Sequence, residues 1–182
     1  MTSFLTLFVF SNAGPPGVEK VSFSVVLAGP TCKAERETVI VCRNNDELIK
    51  AISDFGISEK MNIMPDFPDV ILVMAFLGKR PTAGYAIEPI AIYSVFYNEA
   101  GVDGNSIWDW EVKPLLAQDG LDSAAVSVYP IKDNGDAVLV AREKCPPKGS
   151  MLAQVITSPY VIIEVPRDKV RTIGLSLIKC KK

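Results

Sequence analysis

The stretch VILVMAFL, residues 70–77, decides the fold class, because a run of consecutive apolar residues leaves no face of the segment for water. This pattern is typical of a strand at the centre of a sheet that is covered on both faces. A helix is predicted to cover one of these faces, since Asn45 caps the sequence DELIKAISDF and Gly56 ends it. The apolar stripe of this helix consists of Leu48, Ile49, Ile52 and Phe55.

Most of the other apolar segments have the alternation or the β-branched composition of strands. The predicted strands cover residues 21–28, 37–42, 70–77, 85–97, 125–131, 137–142, 152–157, 160–165 and 170–178. We expect the first two to form a hairpin across a turn that begins at Gly29-Pro30. A second hairpin is predicted across Asn134-Gly135. Pro89 cannot donate to a strand ladder and therefore predicts a bulge or an edge position.

One helix at about 45–55 among many strands indicates a mainly β (α+β) fold, either a twisted, largely antiparallel sheet or a sandwich-like β domain. Residues 18–182 contain no repeat, linker or low-complexity tract and are predicted to form a single β-rich domain. Residues 98–123 are rich in Gly, Asp and Asn, so we expect them to leave the sheet as an irregular excursion. Residues 1–17 are predicted to be either a signal-peptide remnant or an N-terminal strand lent to a neighbouring subunit.

The composition excludes several classes of function. The chain has 182 residues, no histidine and a net charge of −2. Without histidine, the Ser-His-Asp and Cys-His arrangements of hydrolases and the histidine-based zinc sites are impossible. A slightly acidic chain offers no electrostatic footprint for nucleic acid, and the N-terminal apolar run is too short for a membrane span. We therefore expect no enzyme activity, no catalytic residue, no cofactor and no metal.

Two acidic clusters are the remaining candidate ligand sites. Asp133, Asn134 and Asp136 have the oxygen ligands that calcium prefers, but a tight hairpin turn explains them better. The loop at 103–111 combines acids with two tryptophans, as a carbohydrate cleft does. A core tryptophan with solvated acids around it is the simpler interpretation.

The cysteines bear on the compartment. Cys32, Cys42, Cys145 and Cys180 include no C-x-x-C pair, so neither a zinc ribbon nor a thioredoxin-like motif is indicated. An even count behind a leader-like N-terminus predicts an extracytoplasmic protein, secreted or at the cell surface, with disulfides. The preferred pairing joins Cys32 to Cys42 and Cys145 to Cys180, with four free thiols as the alternative.

The loop GKRPTAGY, residues 78–85, is the strongest candidate for a binding site. Pro81 fixes φ, Gly84 permits backbone conformations that other residues avoid, and Tyr85 opens the next strand with an amphipathic ring. Its two basic residues do not belong to a phosphate-binding loop pattern. A structural turn and a loop that recognises a protein explain the segment equally well.

Two motifs together carry a family resemblance over about residues 66–166. The first is a Gly followed by P-T-G-G-Y-x-I, and the second is P-x-G, a Gln before Thr-x-Pro-Tyr and a closing strand that ends in Pro. The matching positions are Gly78, Pro81, Thr82, Gly84, Tyr85, Ile87, Pro147, Gly149, Gln154, Thr157, Pro159, Tyr160 and Pro166. The chain thus resembles the C-terminal domain family of the protease-complex subunit PrcB. It departs from that pattern at Ala83, in the 98–123 excursion and in the first hairpin.

The resemblance implies an exported accessory module that serves the assembly or stability of a surface protease complex and is not itself a peptidase. It supplies no catalytic residues. A looser similarity links Pro81-Thr82-Ala83-Gly84-Tyr85 to the P-T-T-G-Y loop of chagasin-type inhibitors of cysteine peptidases.

The sequence therefore predicts a non-enzymatic, exported protein-interaction module, with an exported peptidase as the candidate partner. Two segments at one end of the sheet are expected to make the contacts. The predicted binding residues are Lys79, Arg80, Pro81, Thr82, Gly84, Tyr85, Thr157, Pro159 and Tyr160. Two alternatives remain open, namely a self-assembling extracellular structural subunit that donates its N-terminal strand and a loop-based protease inhibitor.

Overall fold

The computed structural model describes residues 18–58, 65–95, 126–128 and 137–180, which form two β-sheets and one α-helix. The first half of the chain contributes β1 (Val18–Val21), β2 (Ser24–Gly29), β3 (Thr38–Cys42), α1 (Asn45–Phe55), β4 (Val70–Phe76) and β5 (Ala86–Val95). The second half contributes β6 (Val126–Val128), β7 (Ala137–Lys144), β8 (Tyr160–Pro166), a 3-10 turn (Arg167–Lys169) and β9 (Ile173–Ile178).

One sheet has five strands in the order β1-β5-β7-β9-β6, and the other has four in the order β2-β8-β4-β3. Neighbouring strands are antiparallel except for β7 and β9, which run parallel. The predicted mainly β, largely antiparallel fold with one helix is confirmed for the described residues.

Strand β4 is buried on both faces, as its sequence predicts. One face, with Ile71, Val73 and Ala75, joins the hydrophobic core between the two sheets. The other face, with Leu72 and Met74, packs in a second core that α1 covers. Strand β8 is buried in both cores in the same way, with Ile163 in the first and Ile162 in the second. Each fully buried side chain of this size contributes about 1.5–3 kcal/mol, so these two central strands hold the three layers together.

The helix lies where the sequence places it, with two differences at the level of single residues. Its cap is Asn44, whose side chain accepts a hydrogen bond from the Glu47 backbone at 2.8 Å, one residue before the predicted cap. Gly56 ends the helix in a left-handed conformation, as expected. Ile49, predicted to be part of the apolar stripe, is 64% exposed, and the helix buries Ala51 instead.

The hairpin predicted between residues 21–28 and 37–42 is wrong. The first of these segments divides between β1, in the five-stranded sheet, and β2, in the four-stranded sheet. Strands β2 and β3 lie at opposite edges of the four-stranded sheet, and β8 and β4 separate them. The two most apolar strands occupy the centre because they lose the most by contact with water, which leaves β2 and β3 to the edges.

The hairpin predicted between residues 125–131 and 137–142 is also wrong, because β9 lies between β6 and β7. The segment at 152–157, predicted to be a strand, forms only an isolated bridge at its end. The bulge expected at Pro89 is confirmed by a shift of register between Pro89 and Ala91.

The predicted disulfide between Cys145 and Cys180 is present, with a Cα–Cα distance of 5.8 Å that suits such a bond. The predicted pairing of Cys32 with Cys42 is wrong, and both thiols are free. This follows from the topology, because the hairpin that was to bring them together does not form. Cys42 is instead buried against the sulfur of Met74 in β4, at 3.8 Å.

Several predicted features lie outside the described residues. They are the N-terminal segment 1–17, the excursion at 98–123 with its acidic and tryptophan loop, and the turn that contains Asp133, Asn134 and Asp136. Within the described part of the chain, no helix has the length and apolar character needed to cross a bilayer.

Candidate functional site

The two predicted binding segments meet at one end of the four-stranded sheet. Phe76, at the end of β4, pairs with Tyr160, at the start of β8. Beyond the strands, the backbone N–H of Leu77 donates to the carbonyl of Pro159 at 3.0 Å. Because β4 and β8 are antiparallel, the loop that leaves β4 and the segment that enters β8 emerge side by side.

Further hydrogen bonds hold the 78–85 loop against the segment that precedes β8. Arg80 and Thr157 exchange two backbone hydrogen bonds, of 2.7 and 3.0 Å. The Thr157 hydroxyl donates to the carbonyl of Thr82 at 3.0 Å, and the N–H of Ala83 donates to the carbonyl of Ala153 at 3.2 Å. We call the surface that residues 79–84 and 151–156 present together the paired-loop surface.

Two glycines let the loop fold against its neighbours. Gly78 has a φ of 70°, and a Cβ there would lie 2.6 Å from the backbone of Arg36. Gly84 has a φ of 88°, and a Cβ there would lie 3.0 Å from Pro146. A side chain at either position would therefore meet both backbone strain and a close contact.

The two tyrosines predicted to contact a partner are core residues. Tyr160 is 1% exposed, and its ring lies 6.4 Å from that of Phe76 between centroids. Tyr85 is 9% exposed. Both rings therefore support the surface from below.

Thr157 and Pro159 are likewise buried, so the only binding residues from the prediction with substantial exposure lie in the 78–85 loop. Lys79, Pro81 and Gly84 are exposed, and Thr82 is half-buried. The motif that carries the resemblance therefore divides into a buried part that shapes the surface and an exposed part that is available for contact.

Arg80 joins the loop to both sheets. Its Nε donates to Glu143 Oε1 at 2.5 Å and its Nη2 to Glu37 Oε1 at 3.2 Å. Glu143 belongs to β7 in the five-stranded sheet, whereas Glu37 directly precedes β3 in the other. The side chains of Arg80 and Glu143 are only 16% and 7% exposed, so this ion pair is well shielded from water.

Lys79 makes a contrasting ion pair at the surface. Its Nζ lies 2.8 Å from Glu35 Oε1, with both side chains more than half exposed. The hydrogen bond and the charge of Lys79 hold the pKa of the Glu35 carboxyl below its usual range. Lys179 forms a further ion pair with Glu37, and partial burial lowers the pKa of its ammonium group.

A cleft of about 670 Å³ opens beside Arg80, between β3 and β9. Its apolar floor includes Val39, Leu77 and Leu175. The charged residues that line it are Glu35, Arg36, Glu37, Arg80 and Lys179. In the described ranges, no group of three or more acidic or cysteine side chains is placed to hold a metal ion.

Sequence reasoning missed the exposed half of the paired-loop surface. Met151, Val155 and Ile156 are 103%, 51% and 66% exposed. They account for three of the five large hydrophobic side chains that are exposed in the described part of the chain. The β-branched composition of 152–157 predicts an extended chain, but only the three-dimensional structure reveals that none of the described strands covers it.

Comparison with known proteins bears out the family resemblance over part of the chain. Residues 125–166 match the model of the family described as PrcB C-terminal. The match contains the second motif, from Pro147 to Pro166, and the exposed apolar residues of the paired-loop surface, whereas the 78–85 loop lies outside it. No curated protein and no solved structure matches the chain.

Proposed function

We propose, from the match of residues 125–166 to the PrcB C-terminal family, that the chain is a non-enzymatic accessory subunit of an extracytoplasmic protease complex. In this proposal the protein stabilises or assembles the complex by binding a partner through the paired-loop surface. An exported peptidase is the partner that the family resemblance favours.

One observation carries the choice of surface: three exposed apolar side chains, Met151, Val155 and Ile156, occur within six consecutive residues beside the 78–85 loop. Soluble proteins tolerate single exposed apolar residues, but several on one short segment are typical of a protein contact. Hydrogen bonds from the neighbouring loop fix the ends of the segment at Ala153 and Thr157. A partner therefore meets a largely preformed surface and loses little conformational entropy on binding.

The extracytoplasmic location is supported by the disulfide between Cys145 and Cys180, since such bonds persist mainly in oxidising compartments. The non-enzymatic role is supported by the burial and pairing of the polar groups at the site. Arg80 and Glu143 are engaged with each other. Their side chains serve the fold, which leaves the exposed apolar residues to make the contacts.

The test is co-purification of the tagged chain from its own cells, with identification of the proteins that bind it. We expect a component of an exported peptidase in the parent sample and its loss with Ile156→Asp. The matched control is Ile49→Asp, because Ile49 is equally exposed but lies on the outer helix. Retention of the peptidase by Ile156→Asp, or equal loss in both variants, would refute the choice of surface.

The non-enzymatic part of the proposal has its own test, because purified protein should leave peptide and glycan substrates unchanged. Turnover that a single acidic substitution abolishes would contradict it.

A further inference from the structure

The segment at 152–156 has a second edge that the described chain does not cover. On its inner side, Thr157 exchanges both backbone hydrogen bonds with Arg80, and the carbonyl of Ala153 accepts from Ala83. In an extended chain, alternate residues direct their backbone groups to opposite sides. In the extended conformation that its composition favours, the segment therefore directs the N–H and C=O groups of Leu152, Gln154 and Ile156 away from the loop.

Among the residues that the structure describes, none supplies this edge with the devices that normally prevent strands from pairing between molecules. Natural edges are protected by charged side chains, proline or a covering element. No charged residue occurs between Lys148 and Glu164, and no proline occurs between Pro147 and Pro159. The exposed side chains of Val155 and Ile156 are β-branched and suit a pleated surface.

We propose that two copies of the chain pair through this edge, antiparallel and around a two-fold axis at Gln154. An uncharged edge meets no electrostatic repulsion from its own copy, and a two-fold axis requires the surface to complement itself. The inference rests on the proposed function, because it uses the same paired-loop surface. A second copy and a protein partner would therefore compete for the same residues.

The alternation of the backbone fixes the register of this pairing. With the axis at Gln154, that residue lies opposite its own copy, and Leu152 lies opposite Ile156 of the second copy. All three have the outward-directed backbone groups, so the pairing allows about six hydrogen bonds between the copies. The same register places the apolar Leu152 and Ile156 side chains together on one face and Ala153 with Val155 on the other.

The second copy is favoured over the chain's own N-terminal segment as the occupant of this edge. Val18 pairs with Val95 at one end of β5, whereas the paired-loop surface lies beyond Ala86 at the other end. A ten-residue strand spans about 30 Å. Residues 11–17 would connect Phe10 to Val18 and reach at most about 29 Å when fully extended, which falls short of a surface that lies beyond the end of that strand.

Sedimentation velocity of the full chain, from micromolar to millimolar concentration, tests the pairing. We expect a reversible monomer–dimer equilibrium, and Ile156→Lys should raise its dissociation constant at least about tenfold because each dimer would contain two such lysines beside Leu152. Ile49→Lys is the matched control and should leave the equilibrium unchanged. A parent protein that stays monomeric throughout, or an Ile156→Lys variant that dimerises as tightly as the parent, would overturn the proposal.

The register is tested by disulfide trapping in a Cys32→Ser background. Gln154→Cys should give a covalent dimer on mild oxidation, because directly opposed residues of an antiparallel pair lie about 5.5 Å apart between Cα atoms. Val155→Cys should give little covalent dimer, because residue 155 of one copy lies opposite Ala153 of the other and not opposite residue 155. Trapping that is equal at both positions, or stronger at 155, would refute the two-fold pairing.

Deletion of residues 1–13 separates this proposal from strand donation by the N-terminus. The dimer should survive the deletion, and its loss would overturn the proposal. A failure of the proposed function is distinguishable, because in that case the peptidase would not co-purify while the parent chain still dimerised.

Discussion

Replacement of Arg80 by Met should destabilise the protein strongly, although the change retains most of the aliphatic stem. The substitution leaves the Glu143 carboxylate, 7% exposed, without its cation. Breaking a buried ion pair on one side typically costs 3–5 kcal/mol. Because the Arg80 side chain is itself 16% exposed, we expect the low end of this range, about 3 kcal/mol.

Urea denaturation at neutral pH provides the measurement, and thermal unfolding should show a midpoint lower by about 6–12 °C for a domain of this size. Lys79→Met is the control, since the Lys79–Glu35 pair is exposed and should contribute less than about 1 kcal/mol. The double variant Arg80→Met with Glu143→Gln should recover much of the loss, because no buried charge then remains. Equal destabilisation by Arg80→Met and Lys79→Met would refute the conclusion that the ion pairs of Arg80 link the two sheets.

Three further predictions concern the glycines and cysteines. Gly78→Ala should lower the free energy of unfolding by at least about 2 kcal/mol more than Gly149→Ala. Both glycines have a positive φ, but of the two only Gly78 lies against the backbone of another segment. An equal loss of stability in the two variants would contradict the packing of the loop. Burial raises the pKa of the Cys42 thiol to about 11, so the unfolded chain releases this proton first and stability should fall from about pH 9 to pH 11. A Cys42→Ala variant should lack this part of the pH dependence, and identical profiles of unfolding free energy against pH would refute it. Reduction of the Cys145–Cys180 bond, which closes a loop with a sequence separation of 35, should lower stability by about 3–4 kcal/mol in urea melts, whereas an unchanged midpoint would count against the bond.

The elements that the sequence predicts well are those whose signals are local. The uninterrupted apolar run of β4 requires burial on both faces, and the helix combines a polar cap, an apolar stripe and Gly56. Pro89 indicates its bulge because it lacks an N–H to donate. Once β4 and β8 are known to be neighbours, the 78–85 loop and Thr157 are expected to lie side by side.

The features that the sequence does not predict depend on contacts between distant segments. Strands β2 and β3 have the composition of a hairpin, but β8 and β4 compete for them and separate them. The same competition separates Cys32 from Cys42.

Exposure at the candidate site depends on distant contacts in the same way. Tyr160 has an amphipathic side chain that could lie at a surface or in a core. It is buried because it packs beside Phe76. Conversely, residues 152–156 have the composition of a paired strand, and their exposure depends on the lack of a covering strand in the described part of the chain.

Site-specific photo-cross-linking in the native cells tests most directly whether residues 151–156 form the contact surface. A photoreactive residue replaces Ile156 in one strain and the equally exposed Ile49 in another. We predict that position 156 gives adducts with an exported peptidase component and with a second copy of the chain, and that position 49 gives neither. Adducts of equal yield from both positions, or none from position 156, would contradict the account.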